Sequence, residues 1–162
     1  MTEATDVSMR EPAAAPSSRP QPRTPHQRRR DTEHRLAHDI DLWVSSASPD
    51  GRPYLVPPSF DWDGMALLMA TPTESITGRN LASAGVARVA LGDLRDVVMI
   101  DGTVEVREVS QERADRFAAR AGFDPRPLPY SWFLMTPRRI QAWRGANEMP
   151  RRTLMKDGKW LV

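Results

Sequence analysis

The chain has 162 residues, no cysteine and a formal charge of +2. That length sets one domain with a core able to stand without staples, and the absence of thiols excludes disulfides, cysteine zinc sites and thiol nucleophiles. Residues 1–30 hold six arginines against Glu3, Asp6 and Glu11, a local +3, so the other 132 residues carry −1. A nucleic-acid-binding domain shows its basic footprint on the folded body, and this near-neutral body argues against one.

Residues 1–30 contain Pro12, Pro16, Pro20, Pro22 and Pro25 and almost no large apolar side chain. Such a segment buries too little surface to offset its ordering entropy, which predicts a disordered tail over 1–30 and a folded domain over 31–162. The run Arg28-Arg29-Arg30 has the charge to touch RNA, DNA or an acidic partner, but is read first as part of that solvated tail. No apolar stretch is long enough to span a membrane, and the first thirty residues lack a signal's hydrophobic region. The expected location is the cytoplasm.

From Asp31 the pattern changes. DTEHRLAHDI predicts a short helix capped by Asp31, with Leu36 and Ile40 on one face. Strands are predicted at 42–48, 53–60 and 65–70, separated by Pro49-Asp50-Gly51 and Asp61-Trp62-Asp63-Gly64, both turn signals. Pro57-Pro58 inside the second strand marks an edge or an irregularity, since proline donates no ladder bond. Thr71-Pro72-Thr73-Glu74 has the form of a capped helix start, and Gly85 of that helix's stop. Valine-rich strands follow at 86–92 and 96–109, the second bent at Asp101-Gly102. SQERADRFAARAG (110–122) is a third capped helix. YSWFLMT and RRIQAWR read as two strands broken at Pro137, and RTLMKDGKWLV as a hairpin over Asp157-Gly158. Six or seven strands joined mostly by short turns predict a mainly β fold, a small antiparallel barrel with helical insertions.

His34 and His38 share a helix face, but Arg35 stands where a zinc protease needs glutamate, so no metal site is expected. The chain has no nucleophile elbow, Walker lysine or Gly-x-Gly-x-x-Gly. Asp61, Asp63, Asp93 and Asp96 sit where turns place them, and no catalytic residue is singled out. What remains is TPTESITGRNLASAG (71–85). Early helix N–H groups with Ser75, Thr77, Arg79 and Asn80 form a candidate phosphate site. The alternative is a capped surface helix with a solvated arginine. Gly78 sits poorly in that alternative, because glycine costs about 1 kcal/mol relative to alanine inside a helix. A glycine there would let a ligand approach the backbone. Tryptophans 62, 132, 143 and 160 are read as core or interface packing, with stacking on a ring ligand as the alternative for Trp143 and Trp160.

The series DGRPYLVPPSFDWDGMALLMATPTESITGRNLASAGVARVALGDLRDVVMIDGTVEV resembles the pyridoxamine 5′-phosphate oxidase-like superfamily of flavin-binding split barrels, nearest to its actinobacterial members that use FMN or the deazaflavin F420. The marks are the strand with Pro57, the Asp-Gly turn, Ser75…Arg79-Asn80-Leu81, the next valine-rich strand, and Arg95-Asp96-Val97-Val98…Gly102. YSWFLMTPRRIQAW resembles the last barrel strands, so the likeness spans roughly residues 36–162. The resemblance implies a six-stranded antiparallel Greek-key split barrel that forms a homodimer, with cofactor in the cleft between subunits. It places the phosphate contacts on Ser75, Thr77, Arg79 and Asn80, and the ring-lining strand on Val56, Pro57 and Ser59 with Thr71 nearby. Many members carry a lysine or arginine where this chain has Thr77, which leaves Arg79 as the helix's cation. The expected activity is FMN- or F420-dependent oxidoreduction of a small organic substrate. The alternative is a non-catalytic FMN- or F420-binding protein for storage, sensing or delivery.

Overall fold

The structure, a computed structural model, describes residues 21–162. The elements run α1 (Pro25–His38), β1 (Trp43–Ala47), β2 (Pro53–Val56), β3 (Phe60–Trp62), β4 (Leu67–Pro72), α2 (Ile76–Ala84), β5 (Val86–Asp93), β6 (Asp96–Val106), α3 (Gln111–Ala121), β7 (Tyr130–Trp143), a 3-10 turn (Ala146–Glu148), β8 (Thr153–Lys156) and β9 (Lys159–Trp160).

The folded chain starts before Asp31, which corrects the predicted boundary between a 1–30 tail and a 31–162 domain. Thr24 Oγ1 accepts from the Gln27 N–H (3.2 Å) while the Gln27 side chain accepts from the Thr24 N–H (2.8 Å), with Pro25 in the first turn. That reciprocal cap satisfies two orphan donors and nucleates α1 there. Asp31 is therefore inside the helix, paired with Arg23 at 2.7 Å. The basic run is also not a free arm. Arg28 is buried and donates to the carbonyls of Ala142 and Glu148, and Arg29 pairs with Glu33 (2.9 Å) and lies over the Trp160 ring. Residues 1–20 of the predicted tail lie outside the described residues.

All strand pairings are antiparallel, and the sheet order is β2-β1-β5-β6-β7-β4-β3, with β8 and β9 added beyond β7. The two ends of this order are one run of chain, 53–62, interrupted at Pro57-Pro58. The β1–β2 register, Val44 opposite Val56, continues through the bridge Asp41 opposite Ser59. Leu42 N–H donates to Pro58 O (3.1 Å) and Phe60 N–H to Ile40 O (2.9 Å). Six strand positions thus circle one core in Greek-key order, the split barrel expected from the sequence. Proline is tolerated in the run because it sits where β2 leaves β1's flank and β3 joins β4.

Alternation on β5 sends Ala87, Val89 and Leu91 inward to meet Val44, Val98, Ile100, Phe133 and Met135. β4 does not alternate, because both its faces are covered. Leu67 and Met69 face the barrel, and Leu68 and Ala70 pack under Phe117 of α3, whose ring meets Trp132 edge-on at 5.0 Å. α3 is capped by Ser110, which accepts from the Arg113 N–H. Ser110→Ala is expected to cost about 1 kcal/mol in thermal or urea unfolding.

β7 is one strand through Pro137, where the sequence predicts two. Pro137 faces Gly102 at the β6 bulge, where the register shifts and no ladder donor is required. A Cβ on Gly102 would stand 2.5 Å from the Thr136 carbonyl, so the bend needs glycine. The β8–β9 hairpin turns over Asp157 and Gly158, both at positive φ, as predicted.

The four carboxylates read as turn residues are structural, but Asp61 lies inside β3 and Asp93 and Asp96 bound β5 and β6, so only Asp63 is in a loop. Asp61 is 1% exposed and receives Arg116 Nε (3.0 Å) and Nη2 (2.9 Å), anchoring α3 to β3. Asp63 pairs with Arg113 (2.7 Å) and accepts from the Met65 and Ala66 N–H groups. Burial would raise its pKa, but those N–H groups and Arg113 hold it below the ordinary value. Asp93 accepts from the Arg95 N–H, and Asp96 pairs with Arg35, Arg144 and Arg23. His34 and His38 stack on each other at 4.1 Å, and among the described residues no group of three His, Cys, Asp or Glu is placed to hold a metal.

Candidate functional site

α2 begins later than its sequence signal suggests. Thr71 and Pro72 stay in β4, paired opposite Ser131 and Tyr130, so Thr71 is no cap. Ser75 takes that role: its Oγ accepts from the Gly78 N–H (2.9 Å) and donates to the Pro72 carbonyl (2.7 Å). Thr71 Oγ1 is buried 3.2 Å from Ser75 Oγ, which ties the end of β4 to the start of α2. Gly85, in the left-handed conformation, ends the helix as predicted.

Gly78 is needed for the fold and not for a ligand. A Cβ there would lie 2.5 Å from the Pro72 carbonyl and 2.6 Å from that of Thr73, so the β4–α2 turn itself occupies the space glycine leaves. This corrects the expectation that a ligand approaches its backbone.

A cavity of about 540 Å³ lies between α2 and the β1–β2 turn. Ile76, Arg79, Asn80 and Ser83 line it from the helix, and Arg52 and Tyr54 from the hairpin. Arg79 is exposed, and its Nη1 donates to the Glu74 carbonyl, which holds the guanidinium near the helix start. Asn80 is 4% exposed and donates its amide to Ser46 Oγ (3.2 Å), bracing α2 on β1.

Of the sequence candidates, Arg79 and Asn80 therefore reach the cleft. Ser75 does not line it and has its oxygen engaged in capping, and Thr77 is 2% exposed inside the fold. Val56 packs on the core at the end of β2, Pro57 is exposed beyond it, and Ser59 donates to Asp41 Oδ1 (2.6 Å) at the barrel's closing bridge. Those three and Thr71 do not line this cavity. Sequence reasoning missed Arg52 and Tyr54, because Pro49-Asp50-Gly51-Arg52 carries a turn signal that says nothing of what the turn faces.

The donor set suits an anionic ligand. Two guanidiniums and the Ser83 hydroxyl offer hydrogen bonds, while Tyr54 and Ile76, 38% and 45% exposed, give apolar surface beside them. A phosphate-bearing flavin or deazaflavin fits that chemistry.

Among curated proteins no sequence match is found. Solved structures do match. A protein named F420 reductase shares 19% identity at a TM-score of 0.57, covering 67% of this chain and 94% of that one. A Mycobacterium tuberculosis protein shares 18% identity at 0.59, covering 73% and 85%. A heme storage protein from Vibrio cholerae shares 14% identity at 0.57, covering 68% and 91%. Each likeness is one of fold. The model of the family described as pyridoxamine 5′-phosphate oxidase matches residues 35–144, from the end of α1 to just past β7. With that match over most of the barrel, the chain belongs to the pyridoxamine 5′-phosphate oxidase-like split-barrel family.

Proposed function

We propose that the chain is an FMN- or F420-dependent oxidoreductase whose cofactor lies with its phosphate end against α2. The observation that carries this reading is Arg79, exposed, held by the Glu74 carbonyl and facing a cavity with an apolar lining. When bound, the flavin or deazaflavin supplies the hydride chemistry, and the protein supplies binding and orientation. Arg79 holds the phosphate by charge-assisted bonds, and Tyr54 and Ile76 shield the adjoining part of the ligand from water. In this reading the protein works as a cytoplasmic homodimer, a second copy completing the cleft around a small organic substrate.

Arg79→Ala is expected to weaken cofactor binding by about 1.5–3 kcal/mol, read by titration against wild type. Because Arg79 is on the surface, the variant keeps its fold. Unchanged affinity overturns this placement of the phosphate.

A second reading is a cofactor-binding protein without turnover, for storage, sensing or delivery. It is favoured by the commitment of Ser75, Thr77 and Asn80 to the fold, which leaves a thin set of phosphate ligands. Reduction of an acceptor by the loaded protein, assayed with an electron donor, separates the two.

A further inference from the structure

Resting on that reading of the cleft, we infer that Arg52 is the second phosphate-binding cation, and that the cleft takes the cofactor's phosphate between Arg52 and Arg79. A phosphate monoester such as that of FMN carries about −1.5 to −2 near neutral pH, and a diester such as that of F420 about −1. α2 offers it one guanidinium, since Thr77 is buried and the other helix positions lining the cleft are Ile76, Asn80 and Ser83. Among the described residues of the lining, Arg52 is the other cation, and it comes from the opposite wall.

The turn that carries Arg52 is built. Gly51 N–H donates to the Ser48 carbonyl (2.8 Å), Ser48 N–H to the Arg52 carbonyl (3.0 Å), and Arg52 N–H to Ser48 Oγ (3.1 Å). The Ser48 hydroxyl also donates to Asp50 Oδ1. Asp50 in turn pairs with Arg52 Nε at 2.9 Å, their side chains 60% and 85% exposed. An ion pair that exposed holds its arginine weakly. It leaves the guanidinium beside the cleft, where the ligand's phosphate replaces the carboxylate. Arg79 is thus held near the helix start by the Glu74 carbonyl, while Arg52 is free to leave Asp50 for the ligand.

The test compares FMN with riboflavin, and F420 with its phosphate-free core, by titration of wild type, Arg52→Ala, Arg79→Ala and Asp50→Asn. Arg52→Ala is expected to weaken binding of the phosphorylated ligand roughly tenfold or more, the scale of one charge-assisted bond, and to leave the phosphate-free ligand unchanged. Asp50→Asn, which frees Arg52, is expected to tighten the phosphorylated ligand. If Arg52→Ala matches wild type while Arg79→Ala is weakened, the role of Arg52 is overturned and the cofactor reading stands. If wild type binds neither cofactor, the cofactor reading falls and this inference falls with it.

Discussion

Replacing Glu148 by alanine is expected to destabilise the protein by about 3–5 kcal/mol, the range for removing one partner of a buried ion pair. Glu148 is 4% exposed and collects four donors: the N–H, Nε and Nη2 of Arg23 and the N–H of Arg144. The carbonyl of the same residue accepts from buried Arg28. One carboxylate thereby ties the segment before α1 to the turn after β7. Its loss removes the most buried of the three carboxylates around Arg23, whose side chain is 12% exposed, and leaves it Asp31 and Asp96. The same group sets an acid limit. Burial alone would raise its pKa, but the Arg23 side chain, the two N–H groups and the Arg23 charge outweigh it and hold it at about 2, against an ordinary 4.5. A lowered folded-state pKa stabilises the fold above the unfolded value and loses that stability as pH falls. At about 1.4 kcal/mol per pH unit, roughly 3 kcal/mol should disappear between about pH 4.5 and pH 2. Urea unfolding across that range checks it: Glu148→Gln should flatten the slope, and an unchanged slope would show that the lost stability comes from other carboxylates.

Gly78→Ala is expected to destabilise by about 2–3 kcal/mol, the cost of forcing an atom into a packed site. At an ordinary helix-interior position the same change gains about 1 kcal/mol. The opposite sign follows from the two carbonyls, Pro72 and Thr73, that a Cβ would meet at 2.5 and 2.6 Å. Both are backbone atoms, so no rotamer change relieves the clash, and the β4–α2 turn must shift. That turn carries Ser75 and the Glu74 carbonyl that holds Arg79, so ligand binding is expected to weaken as well. A stabilised Gly78→Ala variant would contradict this account of the turn.

Much of the barrel was legible because its signals are local. Asp-Gly pairs between apolar runs gave the hairpins, Ser110 and Gly122 bounded α3, and the bend at Gly102 followed from glycine within a valine-rich strand. The errors came where partners distant in sequence decide. Thr24-Pro25-His26-Gln27 and Thr71-Pro72-Thr73-Glu74 carry nearly the same cap signal. The first starts a helix, while the second is held in β4 by pairing with Ser131 and Tyr130 of β7. Pro137 breaks no strand because Gly102, far earlier in the chain, bulges opposite it. Arg28 looked like tail because its acceptors, the carbonyls of Ala142 and Glu148, lie over a hundred residues away. The site was legible in part for the same reason. Arg79 is on the helix the sequence marked, but Thr77 points into the core, and Arg52 comes from a hairpin whose neighbour is set only by the fold.

The most direct measurement is parallel equilibrium titration of the purified protein with FMN, F420 and heme, followed by tryptophan fluorescence quenching. The account predicts saturable binding of FMN or F420, weakened in Arg79→Ala. Binding of heme alone, or of none of the three, would contradict it.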